Sequence, residues 1–445
     1  MSQLTQGRRL PKIPTVTRFL NVAALLVWQV VAEPALAQVP VEHSARVDLA
    51  PVESAGAVRS LTETQAVGLA LDRAAFTTAL AGEQGQARGQ ALAATARAGP
   101  EIAYSREQTF GPAGTAEDYL SVSQSFDLAD RRRLAGVAGD WRAQAVAQGG
   151  QAERAELATA VRLRFYAALY LGLRVESLQR WQEQLDNAVT VVAKRQARGD
   201  AAPYDRRRLQ REQKAVAANI EREQAAHQRS LGQLAICIGL AVEASVSLAG
   251  TLLPSTESPA VVALRQTAAR RPDLQALSLR AQAAQADSVV ARRAAWPDLR
   301  VQLGWKGVDL GNQGRSDGYS AAAALHVPLW DPASGHRQAA DAAARAALAR
   351  RVLAESQVGG TLTTVHAQAS RLRQLAVVFR AQAGVGTAEL VRTATAGYVG
   401  GELGLLELLD AWRCAHEDAL TALDLEYAAR QARIELAALA GENLP

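Results

Sequence analysis

Aromatic residues make up only 5% of this 445-residue chain, methionine occurs once and cysteine twice. So few large rings argue against compact mixed domains, and the abundance of alanine, glutamine, arginine and leucine favours long helices. The net charge is only +5 and the arginines are spread along helical faces without interleaved aromatics, which argues against nucleic-acid binding. The six histidines (His43, His227, His326, His336, His366 and His416) are scattered. "HED" at 416–418 lacks the second histidine of a zinc helix, no GxSxG elbow occurs, and "GYVGGELG" does not have phosphate-loop spacing. No catalytic residue, metal ligand or cofactor is therefore assigned, and the chain does not read as an enzyme. Downstream of the N-terminal region no stretch of some 18 consecutive apolar residues exists, so no transmembrane helix is expected there.

What is present begins at the N-terminus. Arg8, Arg9, Lys12 and Arg18 precede the apolar run "FLNVAALLVWQVVA", and "ALA" (Ala35–Ala37) is followed by Gln38. This is the order of a cleavable export signal. A membrane anchor is the alternative, but the run is short for a span. No cysteine follows the cleavage site, so a lipid-anchored mature N-terminus is not expected. Export would permit a disulfide between Cys237 and Cys414. The layout below sets them far apart, and they are read as unpaired.

The chain is written twice. "RGDAAPYDRRRLQ" (Arg198–Gln210) aligns with "GGELGLLELLDAW" (Gly400–Trp412) at an offset of 202, matching Gly199 to Gly401 and Asp205 to Glu407. The helices that follow end in glycine again, at Gly239 and Gly441. Upstream, "AGPEI" matches "AWPDL" and "DYLSVSQSF" matches "GYSAAAALHVP". The reading divides the chain into a signal peptide 1–37, an N-terminal extension 38–60, a first repeat 61–240, a linker 241–262 and a second repeat 263–441.

Each repeat opens with a helix: the first at "LTETQAVGLAL", with Thr62 and Gln65 set for a capping box, the second after "RRPDL". Each opening helix runs to a proline, Pro100 or Pro297. Alternating stretches follow. "LRVQLGWK" sets Leu299, Val301, Leu303 and Trp305 against Arg300, Gln302, Gly304 and Lys306. "YLSVSQSF" sets Leu120, Val122 and Phe126 against Ser121, Ser123 and Ser125. That is the period of a strand with one apolar face, giving hairpins at about 100–110 with 118–127 and 297–307 with 318–329. A small soluble sheet and barrel strands both fit. A very long helix over about 129–197 comes next. It carries the seam Leu157, Val161, Ala168, Leu171, Val175, Leu178, Leu185, Val189 and Val192, interrupted at Arg164 and Gln182. At 1.5 Å per residue it is on the order of 100 Å long.

Four strands cannot close a membrane barrel, whose smallest single-chain form has about eight, and an open edge in lipid leaves its backbone groups unpaired. If these are membrane strands, several chains must share one barrel, most simply around a rotation axis.

The signal sequence, "LTETQAVGLAL", "RRPDL", "AWPDL", "HVPLWD" and "GYVGGELGLLELLDAWR", in this order and duplicated, resemble the TolC-like outer-membrane efflux protein family from about Leu61 to Gly441. The resemblance implies a mainly α chain with a small β part. It implies a homotrimer in which four strands per chain build a twelve-stranded β-barrel in outer-membrane lipid. Long antiparallel coiled-coil helices form the periplasmic tunnel. It further implies a periplasmic adaptor protein and an inner-membrane transporter, ABC or proton-driven, as partners, and an exported cargo. Without a lipid-attachment cysteine, type I secretion of a protein toxin is preferred over drug or metal efflux. A periplasmic coiled-coil adaptor or scaffold is the alternative of another class. By motif position, Glu407 and Asp410 correspond to acids lining the periplasmic entrance, while Asp205 and Tyr398 correspond to a linked pair that holds it closed. Leu403 stands where some members carry a latch arginine. Gly199, Gly400, Gly401 and Gly404 make the tip turns. Glu407 and Asp410, three residues apart, share a helix face, which is either lumenal or on the outer surface.

Overall fold

In the computed structural model of the chain, residues 59–111, 114–197, 202–241, 246–310, 314–328 and 333–442 are described. All belong to one compact unit, Ala50–Pro445. The signal peptide, most of the N-terminal extension and Gly199 of the first tip turn lie outside the described residues.

The elements run β1 (Arg59–Leu61), α1 (Glu63–Leu71), α2 (Ala74–Thr95), β2 (Glu101–Gln108), β3 (Ala116–Phe126), α3 (Arg131–Ala197) and α4 (Pro203–Ile238) in the first half. The second half follows with β4 (Val246–Leu248), α5 (Val261–Ala268), α6 (Pro272–Arg293), β5 (Asp298–Asp309), β6 (Arg315–His326), α7 (Ser334–Gly400) and α8 (Leu405–Ala440). The duplication extends to length. Helices α2 and α6 have 22 residues each, α3 and α7 have 67, and α4 and α8 have 36.

Helix ends explain much of this correspondence. Three helices close on a left-handed glycine, Gly239 (φ 79°), Gly401 (φ 78°) and Gly441 (φ 66°). At each the backbone makes the paired bonds of a Schellman turn. The amides of Leu240, Glu402 and Glu442 reach the carbonyls of Ala235, Gly397 and Ala437, at 2.9, 2.8 and 2.9 Å. Thr62 and Gln65 form the capping box read from the sequence.

The opening helix of the first half differs from expectation. It is not continuous to Pro100 but breaks at Asp72–Arg73 into α1 and α2, and α2 ends at Thr95. Arg73 stands before α2 in an extended conformation and donates to the carbonyls of Ile236 and Cys237 at the end of α4, at 3.5 and 3.3 Å. Arg271 does the same before α6, donating to the Leu439 carbonyl at the end of α8 at 3.0 Å. Each break thus supplies a cation to a carbonyl-rich helix terminus.

The long seam of α3 is buried at Val161, Ala168, Val175, Leu178, Leu185 and Val192, while Arg164 at its interruption is exposed. Phe165, Leu169 and Trp181 are buried as well. A two-helix seam does not predict them. They are covered because α3 packs against α2, α4, α6 and α8 at once. Strands β1 and β4 pair in parallel, Arg59 with Val246 to Leu61 with Leu248, and tie the starts of the two halves together. Three residues are too few to show a period, so neither strand is legible in the sequence.

Candidate functional site

Two regions of the described residues hold the stretches that the sequence singles out. One is the four-stranded sheet. The other is the far end of the long helices.

The sheet has the order β2-β3-β5-β6 and is antiparallel throughout, with the hairpins of the two halves joined through β3 and β5. Directly paired residues share a face. One row reads Tyr104, Leu120, Trp305, Tyr319, the next Ile102, Val122, Leu303, Ala321, and another Phe126, Leu299, Leu325. This face is apolar and uncovered: Tyr319 is 82% exposed, Ile102 71% and Tyr104 63%. From the Tyr104 row to the Phe126 row is six residues, or about 20 Å of strand. Apart from the polar tips of the aromatic rings in the Tyr104 row, the polar side chain in that band is Gln124, which is spent on the Ala98 and Ser125 carbonyls. The opposite face carries Ser121, Ser123, Ser125, Arg300, Gln302 and Lys306. There the Tyr119 hydroxyl meets Ser320 Oγ at 2.8 Å, and Lys306 pairs with Glu117.

A charged row caps the band at its loop end. Arg106 reaches Asp118 at 3.4 Å, Tyr104 donates to the same carboxylate at 2.9 Å, and Arg315 approaches it at 3.8 Å. Arg315 gets there by crossing β5 at Gly307, where a Cβ would lie 2.7 Å from its guanidinium, with that cation 5.4 Å from the Trp305 ring centre. Among the described residues strands β2 and β6 each have one neighbour only, so both outer edges of the sheet are open there.

At the far end, residues of three helices form one core beside the turn between α7 and α8. Leu178, Trp181, Leu185 and Val192 of α3, Leu209, Val216 and Ile220 of α4 and Leu405 and Leu409 of α8 form one core, with Tyr398 and Trp412 packed against it. Trp181 meets Trp412 edge to face at 6.3 Å and stacks on His416 at 6.0 Å. Burial lowers the His416 pKa below the ordinary histidine value, Arg174 adds to the lowering, and Glu417 opposes it. Arg413 donates to Glu212 at 3.0 Å, joining α8 to α4.

Gly400, Gly401 and Gly404 lie at the turn between α7 and α8, with Gly401 left-handed and Gly404 in the cap position. Leu403 is folded back so that its side chain sits 2.8 Å from where a Cβ on Gly397 would be. Glu407 and Asp410 are both exposed on the first turns of α8, beside buried Leu408 and Leu409. Asp205 is half-buried in the first turn of α4. Tyr398 lies under the Arg195 guanidinium, 4.9 Å from its ring centre, and Arg195 Nη1 donates to the Tyr398 carbonyl at 3.3 Å. Among the described residues no hydrogen bond joins Asp205 to Tyr398.

A third cluster went unread in the sequence because its members come from three helices. Arg174 of α3 lies 3.0 Å from Asp424, 2.9 Å from the Tyr170 hydroxyl and 3.5 Å from Glu223. Tyr170 stacks on Tyr427 at 4.3 Å. Burial, reinforced by its bond to Asp424, pushes the Tyr170 pKa to about 12. This phenol stays protonated and serves as a donor; it is a crosslink between helices. Cys237 and Cys414 are unpaired.

No protein-family model matches the sequence, and no curated protein matches it. Solved structures do. CusC, described for transmembrane channel formation, is 16% identical, covering 89% of this chain and 96% of its own, with a TM-score of 0.73. The open-state MtrE outer membrane channel of Neisseria gonorrhoeae is 16% identical over 89% and 96%, with a TM-score of 0.71. The outer membrane protein VceC of Vibrio cholerae is 19% identical over 86% and 97%, with a TM-score of 0.69. This chain therefore has the fold of the TolC-like outer-membrane channels, mainly helical with four antiparallel strands.

Proposed function

We propose that this chain is one protomer of a TolC-like outer-membrane channel, through which cargo leaves the cell by way of a helical periplasmic tunnel. The observation that carries the reading is the sheet, whose one face is apolar over about 20 Å and uncovered while both edges stay open. An apolar band some 25 Å tall, flanked by aromatic rows and facing away from a polar side, is what a membrane barrel presents to lipid. None of the described helices is long and apolar enough to cross a membrane, so the sheet is the candidate among them. Three copies, pairing β6 of one with β2 of the next, close twelve strands without an edge.

Threefold symmetry then gathers three copies of Glu407 and Asp410 around the tunnel mouth. Carboxylates crowded in a narrow passage repel each other and attract cations. Opening and closing takes place where Arg195 holds Tyr398. The partners are a periplasmic adaptor and an inner-membrane transporter docking at this mouth. For cargo the preference is type I secretion of a protein. It rests on Gln38, where a lipid-attached drug-efflux channel would carry cysteine.

Fractionation tests the reading. The mature chain is expected in the outer membrane after carbonate washing, and its detergent-extracted form at the mass of three chains. Recovery in the carbonate-soluble periplasmic fraction would instead establish the adaptor or scaffold alternative. Deleting the gene and following both secreted protein and drug or metal tolerance separates the cargo classes.

A further inference from the structure

We propose that Tyr119 sets the width of the exit through the barrel, and that Gly304 is the positioning residue that keeps its ring lying against the wall. The inference rests on the barrel proposed above, in which the polar face of the sheet lines the passage. It adds the residue that governs how wide that passage stays.

Among the described residues Tyr119 is the one Phe, Tyr or Trp on the polar face. A ring at such a place can stand up into the passage or lie along the sheet. Here it lies down. It starts on β3, passes over Gly304 of β5 and brings its hydroxyl to Ser320 Oγ of β6 at 2.8 Å. Gln302 Nε2 donates to the same phenol oxygen at 3.3 Å. Neighbouring strands are about 4.8 Å apart, so the side chain covers the breadth of a whole strand.

Gly304 makes this possible by lacking a side chain. A Cβ there would lie 2.6 Å from the Tyr119 hydroxyl, 2.8 Å from its Cζ and 2.9 Å from Ser320 Oγ. No other residue fits under the ring while it stays flat. Gly304 is absent from the glycines with positive φ, so its backbone does not require glycine. A glycine inside a strand costs stability and marks a close approach, and the approach here is that of Tyr119. The row under the ring is small throughout: Ala103, Ser121, Gly304 and Ser320. The direct partner of Tyr119 on β5, Lys306, leans the other way, toward the loops, where it pairs with Glu117. The two long side chains of this row thus part and leave the ring its place.

The consequence appears in the closed barrel. Twelve strands about 4.8 Å apart and tilted about 40° close at a backbone radius of roughly 12 Å. Three copies of Tyr119 stand at one level of it. Flat, they leave the bore to small side chains; upright, they reach well into it from three sides.

The test uses whole cells carrying the full chain with Cys237→Ser and Cys414→Ser, and with Ser123→Cys on the passage wall beyond the ring as seen from the loops. The cells are treated from outside with a small maleimide or with a maleimide on a bulky polymer. Both reagents are expected to label the chain. Gly304→Ala adds one methyl group, too little to narrow the passage itself. It should slow the polymer reagent at least several-fold and leave the small one unchanged. Adding Tyr119→Ala should restore the polymer rate. An unchanged polymer rate in Gly304→Ala, or a slow rate that persists with Tyr119→Ala, overturns the role of Tyr119 and leaves the barrel standing. Failure of the small reagent to label Ser123→Cys in every variant overturns the barrel itself.

Discussion

The Arg195 guanidinium lies 4.9 Å from the centre of the Tyr398 ring and also donates to the carbonyl of that residue at 3.3 Å. One side chain thus ties the end of α3 to the end of its duplicate, α7. A half-covered cation–π contact contributes about 0.5–2 kcal/mol, and a charged hydrogen bond about 1.5–3 kcal/mol. Arg195→Ala should loosen the tip. Hydrogen exchange at residues 392–400 is expected to rise on the order of tenfold, with exchange around Arg174 unchanged. Equal exchange in both proteins would show that the tip is held elsewhere.

The apolar sheet face makes a prediction that depends on side-chain direction. Leu303→Arg places a charge in the middle of the band, at a cost of about 2–4 kcal/mol if lipid covers it. Outer-membrane recovery of the variant should fall sharply. Its sequence neighbour Gln302 points to the opposite face, and Gln302→Arg should be recovered normally. Similar recovery of the two variants would rule out lipid on that face.

Charge at the mouth is read in conductance. Glu407→Ala combined with Asp410→Ala should reduce cation selectivity, seen as a reversal potential shifted toward zero in a salt gradient. An unchanged reversal potential would place both acids on the outer surface of the helices.

The tip core should weaken in acid. His416 titrates below its ordinary value in the folded chain, chiefly through burial against Trp181. A histidine with a lowered folded pKa takes up its proton more readily when unfolded. Stability is therefore full above the ordinary value of about 6.5 and falls as pH drops from there toward the folded value. His227, lowered by burial as well, acts in the same direction. His416→Phe should thus flatten, without abolishing, the loss of thermal stability between pH 7.5 and 5. An identical loss in both proteins would assign it to other groups.

The glycine closing α8 is held from two sides. Gly441 has φ 66°, and a Cβ there would lie 2.8 Å from Arg271 Cγ. Gly441→Ala has to adopt a left-handed conformation, at about 1–2 kcal/mol, and displaces the arginine that bonds the Leu439 carbonyl. Its cost should exceed that of an alanine at exposed Gly360, where nothing lies within 4 Å, in chemical denaturation of the purified protein.

Repetition and periodicity are local properties, and the sequence alone determined what depends on them. The 202-residue offset, the strand alternation around Leu120 and Leu303, the Thr62–Gln65 cap and the closing glycines each follow from neighbours a few residues apart, or from comparing one half with the other. The break at Arg73 did not, because its reason lies on another helix, in the carbonyls of Ile236 and Cys237 more than 160 residues away. Trp181, Arg195 and Arg174 were silent for the same reason: a ring, a carbonyl or a carboxylate on a different helix gives each its role. Only the packed structure decided that Leu409, Arg413 and His416 are engaged while Arg207, Arg211 and Lys214, at the matching positions of α4, are exposed. Both triplets sit at matching positions of duplicated helices, and only three-dimensional contact decides which face is covered.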